Sequence, residues 1–219
     1  MATSPKSSPP PDARASTRLW LIRHAEVEPR YQRTFGGQID MNLSPRGHAQ
    51  AARLADYLHG KPIDAIYASP MKRVQQTLAP LLKNGAPVPT ILPGLREVDF
   101  GDWSGYNWEQ VQAKFGVHPY DWLDVIERGA VPKGESSLQF RARVEPCLFE
   151  IIRRHPGKIA AVFCHGGVIR MLLAILLELP LPKTNSFDID YASITRVALR
   201  PELTEVELLN FAPWRDGGP

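Results

Sequence analysis

The sequence predicts an α/β protein of three layers, a mainly parallel central sheet with helices on both faces. Three short, unbroken apolar runs carry the prediction: Leu19–Ile22, Ala65–Ala68 and Ile159–Cys164. A strand covered on both faces needs no polar alternation, so such runs read as buried strands. Each is followed by a junction and then a segment with apolar residues at helical spacing, the crossover that parallel neighbours require.

In chain order, residues 1 to 16 are rich in Ser, Pro and Ala and lack periodicity, which predicts a disordered tail ahead of one domain spanning 17–219. After the first strand, Ser44-Pro45 supplies a cap and a first-turn proline for a helix bearing Ala49, Leu54, Ala55 and Leu58, with Gly60 at its stop. Ser69-Pro70 is read as the same device opening a helix to about Leu82. A proline-rich link from Pro87 to Pro93 leads to a segment dense in Trp and Tyr, which predicts a helical insertion over about 104–132. Glu135 to Arg154 reads as a helix, and Gly166-Gly167 opens another that runs to Leu179. Ile194–Leu199 and Glu205–Leu209 read as two closing strands.

The 219 residues, 43% hydrophobic and 22% charged, suit one large domain with its own core. Lys plus Arg exceeds Asp plus Glu by 26 − 23 = 3, and the basic residues are scattered, so no nucleic-acid surface is expected. Val168–Leu179 is apolar but holds Arg170 and Glu178 and is too short to cross a bilayer, so no membrane partner is expected either. Cys147 and Cys164 form neither a metal knuckle nor a disulfide framework, and with no signal-peptide pattern a reducing cytoplasm is the expectation.

The functional side chains gather at strand ends. Arg23-His24 follows the first strand, Ser69 to Arg73 the second, and His165-Gly166-Gly167 the third. A loop entering a helix presents free N–H groups and the positive end of the helix dipole, so these junctions favour an anion, and the glycines at 166 and 167 let it approach closely. Arg23 and Arg73 add guanidinium forks that stay charged, and two fixed cations select a dianion. Either histidine, held neutral by a partner on its other nitrogen, has a lone pair with which to attack phosphorus. The arginines repel a metal and no HExxH spacing occurs, so neither metal nor cofactor is expected.

From Thr17 to about Leu209 the sequence resembles the histidine phosphatase superfamily, the phosphoglycerate mutase-like proteins. Arg23-His24-Ala25-Glu26 resembles that family's opening Arg-His-Gly-Glu signature. Gly37-Gln38-Ile39-Asp40 with Leu43-Ser44-Pro45-Arg46-Gly47 is similar to its next loop and helix, and Ser69 to Thr77 to its second arginine motif. Leu95-Arg96-Glu97-Val98-Asp99-Phe100-Gly101-Asp102-Trp103 resembles its acidic motif, and His165-Gly166-Gly167-Val168-Ile169-Arg170 its second histidine motif.

The resemblance implies a phosphoglycerate mutase-like fold and a metal-independent phosphomonoesterase acting on a small phosphate ester. It further implies that His24 accepts the phosphoryl group, that Arg23, Arg73 and His165 surround it, and that Glu97 donates the proton. Two positions depart from the family pattern: Arg30 stands where a phosphate-contacting Asn is common, and Gly36 replaces a polar residue. Arg30 is expected to take over that phosphate contact with a stronger charge. Arg30 to Phe35 and Glu135-Ser136 read as mouth-lining loops, and the aromatics Trp103, Tyr106, Trp108, Tyr120 and Trp122 divide between core and pocket. His118 is expected at the surface or in packing. Within the superfamily the chain is similar to alpha-ribazole phosphatases. A phosphoglycerate mutase, a broad-specificity sugar-phosphate phosphatase and a non-catalytic phospholigand-binding protein are the alternatives.

Overall fold

The computed structural model describes residues 16–118 and 121–217; the expected tail up to residue 15 and Tyr120 lie outside the described residues. One sheet carries six strands: β1 (Thr17–Arg23), β2 (Ala65–Ala68), β3 (Thr90–Ile91), β4 (Ile159–Cys164), β5 (Ile194–Leu199) and β6 (Thr204–Phe211). Their order is β3-β2-β4-β1-β5-β6, the first four parallel to one another and β5 antiparallel to both β1 and β6. The helices are α1 (Pro45–Leu58), α2 (Lys72–Lys83), α3 (Trp108–Phe115), α4 (Trp122–Glu127), α5 (Ser137–Arg154), α6 (Gly166–Leu176) and α7 (Pro213–Asp216). The three layers and mainly parallel sheet agree with the expected fold class.

The unbroken apolar runs have a direct cause. Side chains alternate across a strand, and here both sides are core. Leu19 and Leu21 join the cluster that includes Phe140, Val144 and Leu148 of α5 and Val168 and Leu172 of α6. Trp20 and Ile22 join the opposite cluster, with Leu54 and Leu58 of α1 and Val74 and Leu78 of α2. Fully buried Phe140 and Phe163, one from each cluster, each contribute roughly 2–3 kcal/mol of transfer free energy.

Local signals set the helix starts. Ser44 Oγ accepts the Gly47 N–H, with Pro45 in the first turn of α1. Ser136 Oγ accepts from the Gln139 N–H and the Gln139 side chain accepts from the Ser136 N–H, a capping box that opens α5. The second junction differs from expectation: α2 begins at Lys72, after Met71, and Ser69 does not cap it. The Ser69 hydroxyl instead meets the imidazole of His165.

Strand register assembles the site. β4 lies between β2 and β1, with Arg23 opposite Cys164 and Ala68 opposite Phe163. The ladder continues one step past the strands, through His24 N–H to Cys164 O at 3.0 Å and Ser69 N–H to Phe163 O at 2.9 Å. The carboxyl ends of three adjacent strands thus deliver His24, Ser69 and His165 side by side, where ligands sit in open α/β sheets.

Candidate active site

The two imidazoles stand 5.2 Å apart, centroid to centroid, with one guanidinium between them. Arg73 Nε is 3.2 Å from His24 Nε2 and 3.2 Å from His165 Nδ1. An N–H donor needs an unprotonated acceptor, so both facing nitrogens carry lone pairs. His24 keeps its proton on Nδ1, donated to Ala25 O at 2.8 Å, and His165 keeps its proton on Nε2, donated to Ser69 Oγ at 2.8 Å. The two rings therefore hold opposite tautomers.

Burial holds both imidazoles neutral. Desolvation pushes each well below the ordinary histidine range, and the charges of Arg73 and Arg23 push the same way. Arg73 is itself only 2% exposed. Burial draws its pKa down to about 10, opposed by the charge of Glu97, so it remains a cation at neutral pH. Its Nη atoms donate to Ile39 O and Gly37 O at 2.9 Å each, fixing the plane of the fork. Gly37 carries a φ of 46°, a left-handed turn that suits glycine.

Glu97 closes another side. Its carboxylate accepts from Val98 N–H at 3.0 Å and from Gly167 N–H at 3.2 Å. A Cβ at position 167 would stand 2.5 Å from Glu97 Oε1, so glycine there lets the carboxylate keep this place without being pushed aside. The backbone of the Glu97 loop hangs on Arg143, which donates to Gly94 O, Arg96 O and Glu97 O and pairs with Glu135 through two N–H···O contacts of 2.6 and 2.8 Å.

Arg23, His24, Arg73, Glu97, Gly166 and Gly167 all border one cavity of about 570 Å³. Guanidiniums in its lining suit a dianion, and a neutral ring nitrogen beside them suits a nucleophile. Phe35, Phe100, Trp108 and Trp122, linked by ring contacts, give the cavity an aromatic wall. Trp103 lies instead in the core, fully buried, and Tyr106 packs at the core's margin.

Some expected residues lie elsewhere. Arg30 is outside the cavity lining: its side chain is 69% exposed, paired with Glu28 and laid over Tyr31. Its sequence position is adjacent to the mouth, but the turn at 29–31 sends the side chain to solvent. Tyr31, Arg33, Thr34 and Phe35 do line the cavity, whereas Glu135 serves Arg143 and Ser136 caps α5. His118 is exposed, in line with the surface position expected of it, and it also borders the cavity.

Among the lining residues given no role from sequence are Arg170 and Tyr191. Arg170 sits on α6 beside Arg23, with Nη2 donating to Phe187 O at 2.8 Å; burial and Arg23 draw its pKa to about 10, opposed by Glu97 and Asp188. It closes the resembled second histidine motif, five residues after His165, and that position is the signal the sequence holds for it. Tyr191 comes from the turn before β5, where no motif marks it.

Comparison with known proteins adds a family and relatives. The profile of the histidine phosphatase superfamily (branch 1) matches residues 19–212. Phosphoserine phosphatase 1 of Hydrogenobacter thermophilus is 31% identical over 193 residues, 88% of this chain and 92% of its own. Adenosylcobalamin/alpha-ribazole phosphatase of Escherichia coli is 26% identical over 193 residues, 88% of this chain and 95% of its own. The crystal structure of alpha-ribazole phosphatase from Shigella flexneri superposes with a TM-score of 0.77 at 25% identity, covering 89% of this chain and 96% of that one.

Proposed function

The chain belongs to the histidine phosphatase superfamily and is one of its phosphatases, and from that premise we propose a metal-independent phosphomonoesterase that passes the phosphoryl group through His24. The observation that carries the proposal is the bare Nε2 of His24, facing a guanidinium and held neutral by burial. In the first step Nε2 attacks phosphorus in line, the P–N bond forms as the ester P–O bond breaks, and Glu97 gives its proton to the departing alkoxide. In the second step water attacks the phosphohistidine, Glu97 takes a proton from it, and inorganic phosphate leaves with His24 restored. Arg23 and Arg73 stabilise the charge spread over the phosphoryl oxygens. His165 fixes Arg73 from the side opposite His24.

The substrate we infer is alpha-ribazole 5′-phosphate, a nucleotide-like ester with a flat benzimidazole base. The cavity's aromatic wall supports a planar leaving group, and its size is within the range of sites that enclose whole small molecules. Glu97 at the cavity supports turnover over mere binding, since it borders the same space as His24 and brings a carboxyl group able to carry a proton.

The test compares kcat/KM for alpha-ribazole 5′-phosphate, phosphoserine and 3-phosphoglycerate, with acid-labile labelling of the protein by a ³²P ester. The proposal expects the first ester to be preferred, free phosphate as product, and His24→Ala to lose both turnover and label. Phosphate release by His24→Ala at the wild-type rate overturns the mechanism. Preference for phosphoserine overturns the substrate alone.

A further inference from the structure

Tyr191 touches both halves of the first motif. The Arg23 guanidinium carbon lies 4.1 Å from the centroid of the Tyr191 ring, and the His24 ring lies 5.6 Å from it, tilted by 50°. Arg23 Nη1 donates to Ile189 O at 2.6 Å, so residues 189 and 191 grip one guanidinium by a carbonyl and by a ring face. Arg23 Nε is buried without a hydrogen-bond partner among the described residues. The ring face is then the contact that offsets its desolvation, a cation–π interaction that strengthens as water is excluded.

The turn that presents Tyr191 is itself tied down. Ala192 adopts a φ of 52°, which turns the chain sharply just after the tyrosine, and its N–H donates to His24 O at 3.1 Å. Trp214 Nε1 donates to Tyr191 O at 2.7 Å. Asp190 pairs with Asn210 and with Arg215. A non-glycine residue in the left-handed region persists only where its surroundings over-determine it, and here α7 and the end of β6 supply those surroundings.

We propose that Tyr191 is a positioning residue for phosphoryl transfer, its ring face holding the Arg23 guanidinium beside His24 while the C-terminal turn holds Tyr191. The inference rests on the phosphohistidine reading above and adds to it a residue outside the resembled motifs. Arg23 set by this stack meets the phosphoryl oxygens without first having to be ordered, which favours the transition state over the free enzyme.

The experiment measures kcat/KM for p-nitrophenyl phosphate and the inhibition constant of orthovanadate, which mimics five-coordinate phosphorus, in wild type, Tyr191→Leu and Tyr191→Phe. Leu keeps apolar bulk without a π face and should weaken vanadate and lower kcat/KM by about tenfold each. Phe keeps the face and should restore most of both. A lower folded fraction changes the amount of active enzyme and leaves the inhibition constant alone, so that constant separates positioning from stability. A wild-type vanadate constant in Tyr191→Leu, or a Phe variant as impaired as the Leu variant, overturns the proposal. Wild-type protein without phosphatase turnover would instead overturn the reading on which it rests.

Discussion

Arg73 directs its Nε–H at the Nε2 of His24 across 3.2 Å. A proton on that nitrogen would meet the arginine N–H head on, so the contact and the buried setting both preserve the lone pair. The same N–H serves His165, so one cation adds to burial in keeping two imidazoles neutral together.

Acid should therefore unfold this protein early. Both imidazoles are protonated in the unfolded chain below about pH 6.5 but stay neutral in the fold to well below that value. Over that window the unfolded state binds more protons, so stability is fully present above about 6.5 and declines as pH falls, by up to about 1.4 kcal/mol per pH unit for each imidazole. Urea midpoints between pH 7 and 5 check this. A flat profile, or an unchanged slope in His165→Asn, contradicts it.

Glu97→Gln should separate substrates by leaving group. An alkyl phosphate, whose alkoxide needs a proton, should lose about 10²- to 10⁴-fold in kcat, while p-nitrophenyl phosphate should lose far less in the first step. Burst kinetics with the nitrophenyl ester then show a normal burst followed by slow dephosphorylation. Equal losses on both esters would remove Glu97 from the role of acid.

Two arginines expected at the phosphate should behave differently. Arg73→Met removes a buried charge from the phosphoryl site and should lower kcat by at least about 100-fold. Arg30→Ala should stay within about twofold of wild type in kcat/KM, since its side chain lies in solvent beyond the cavity lining. A large loss in Arg30→Ala, read by steady-state kinetics on one small ester, would show that the loop at 29–31 folds inward during turnover.

Arg143→Met should act at a distance. It leaves the carbonyls of Gly94, Arg96 and Glu97 without their donor and Glu135 without its partner, at a cost of about 3 kcal/mol, or roughly 10 °C in Tm. Activity on alkyl phosphates should fall further than on the nitrophenyl ester, because the loop being loosened carries Glu97, the proposed acid. Calorimetry with paired kinetics tests this, and an unchanged ratio between the two esters counts against it.

What was legible in the sequence follows from how local each signal is. β1, β2 and β4 are visible because each is bracketed by its own apolar run, and His24 and His165 because they end those runs. β3, two residues in a proline-rich link, has too little sequence to show itself. Ser69 looks like a cap because capping is a local property; its bond to His165 spans 96 positions and no local pattern encodes it. Arg30 and Tyr191 are the converse pair. Motif position brings Arg30 near the site but does not say where its side chain goes, while Tyr191 arrives from the far end of the chain through β5 pairing with β1.

Both histidines stand at the ends of paired strands, while two of the four aromatics of the wall, Trp108 and Trp122, come from α3 and α4. A graft that exchanges the stretch from Asn107 to Glu127 for another of equal span would leave the register of the six strands and the Arg23, Arg73 and Arg170 contacts described above untouched. Such a chimera would inherit its appetite from the donor and its chemistry from the host, which makes this scaffold easy to retune without relearning how to cleave.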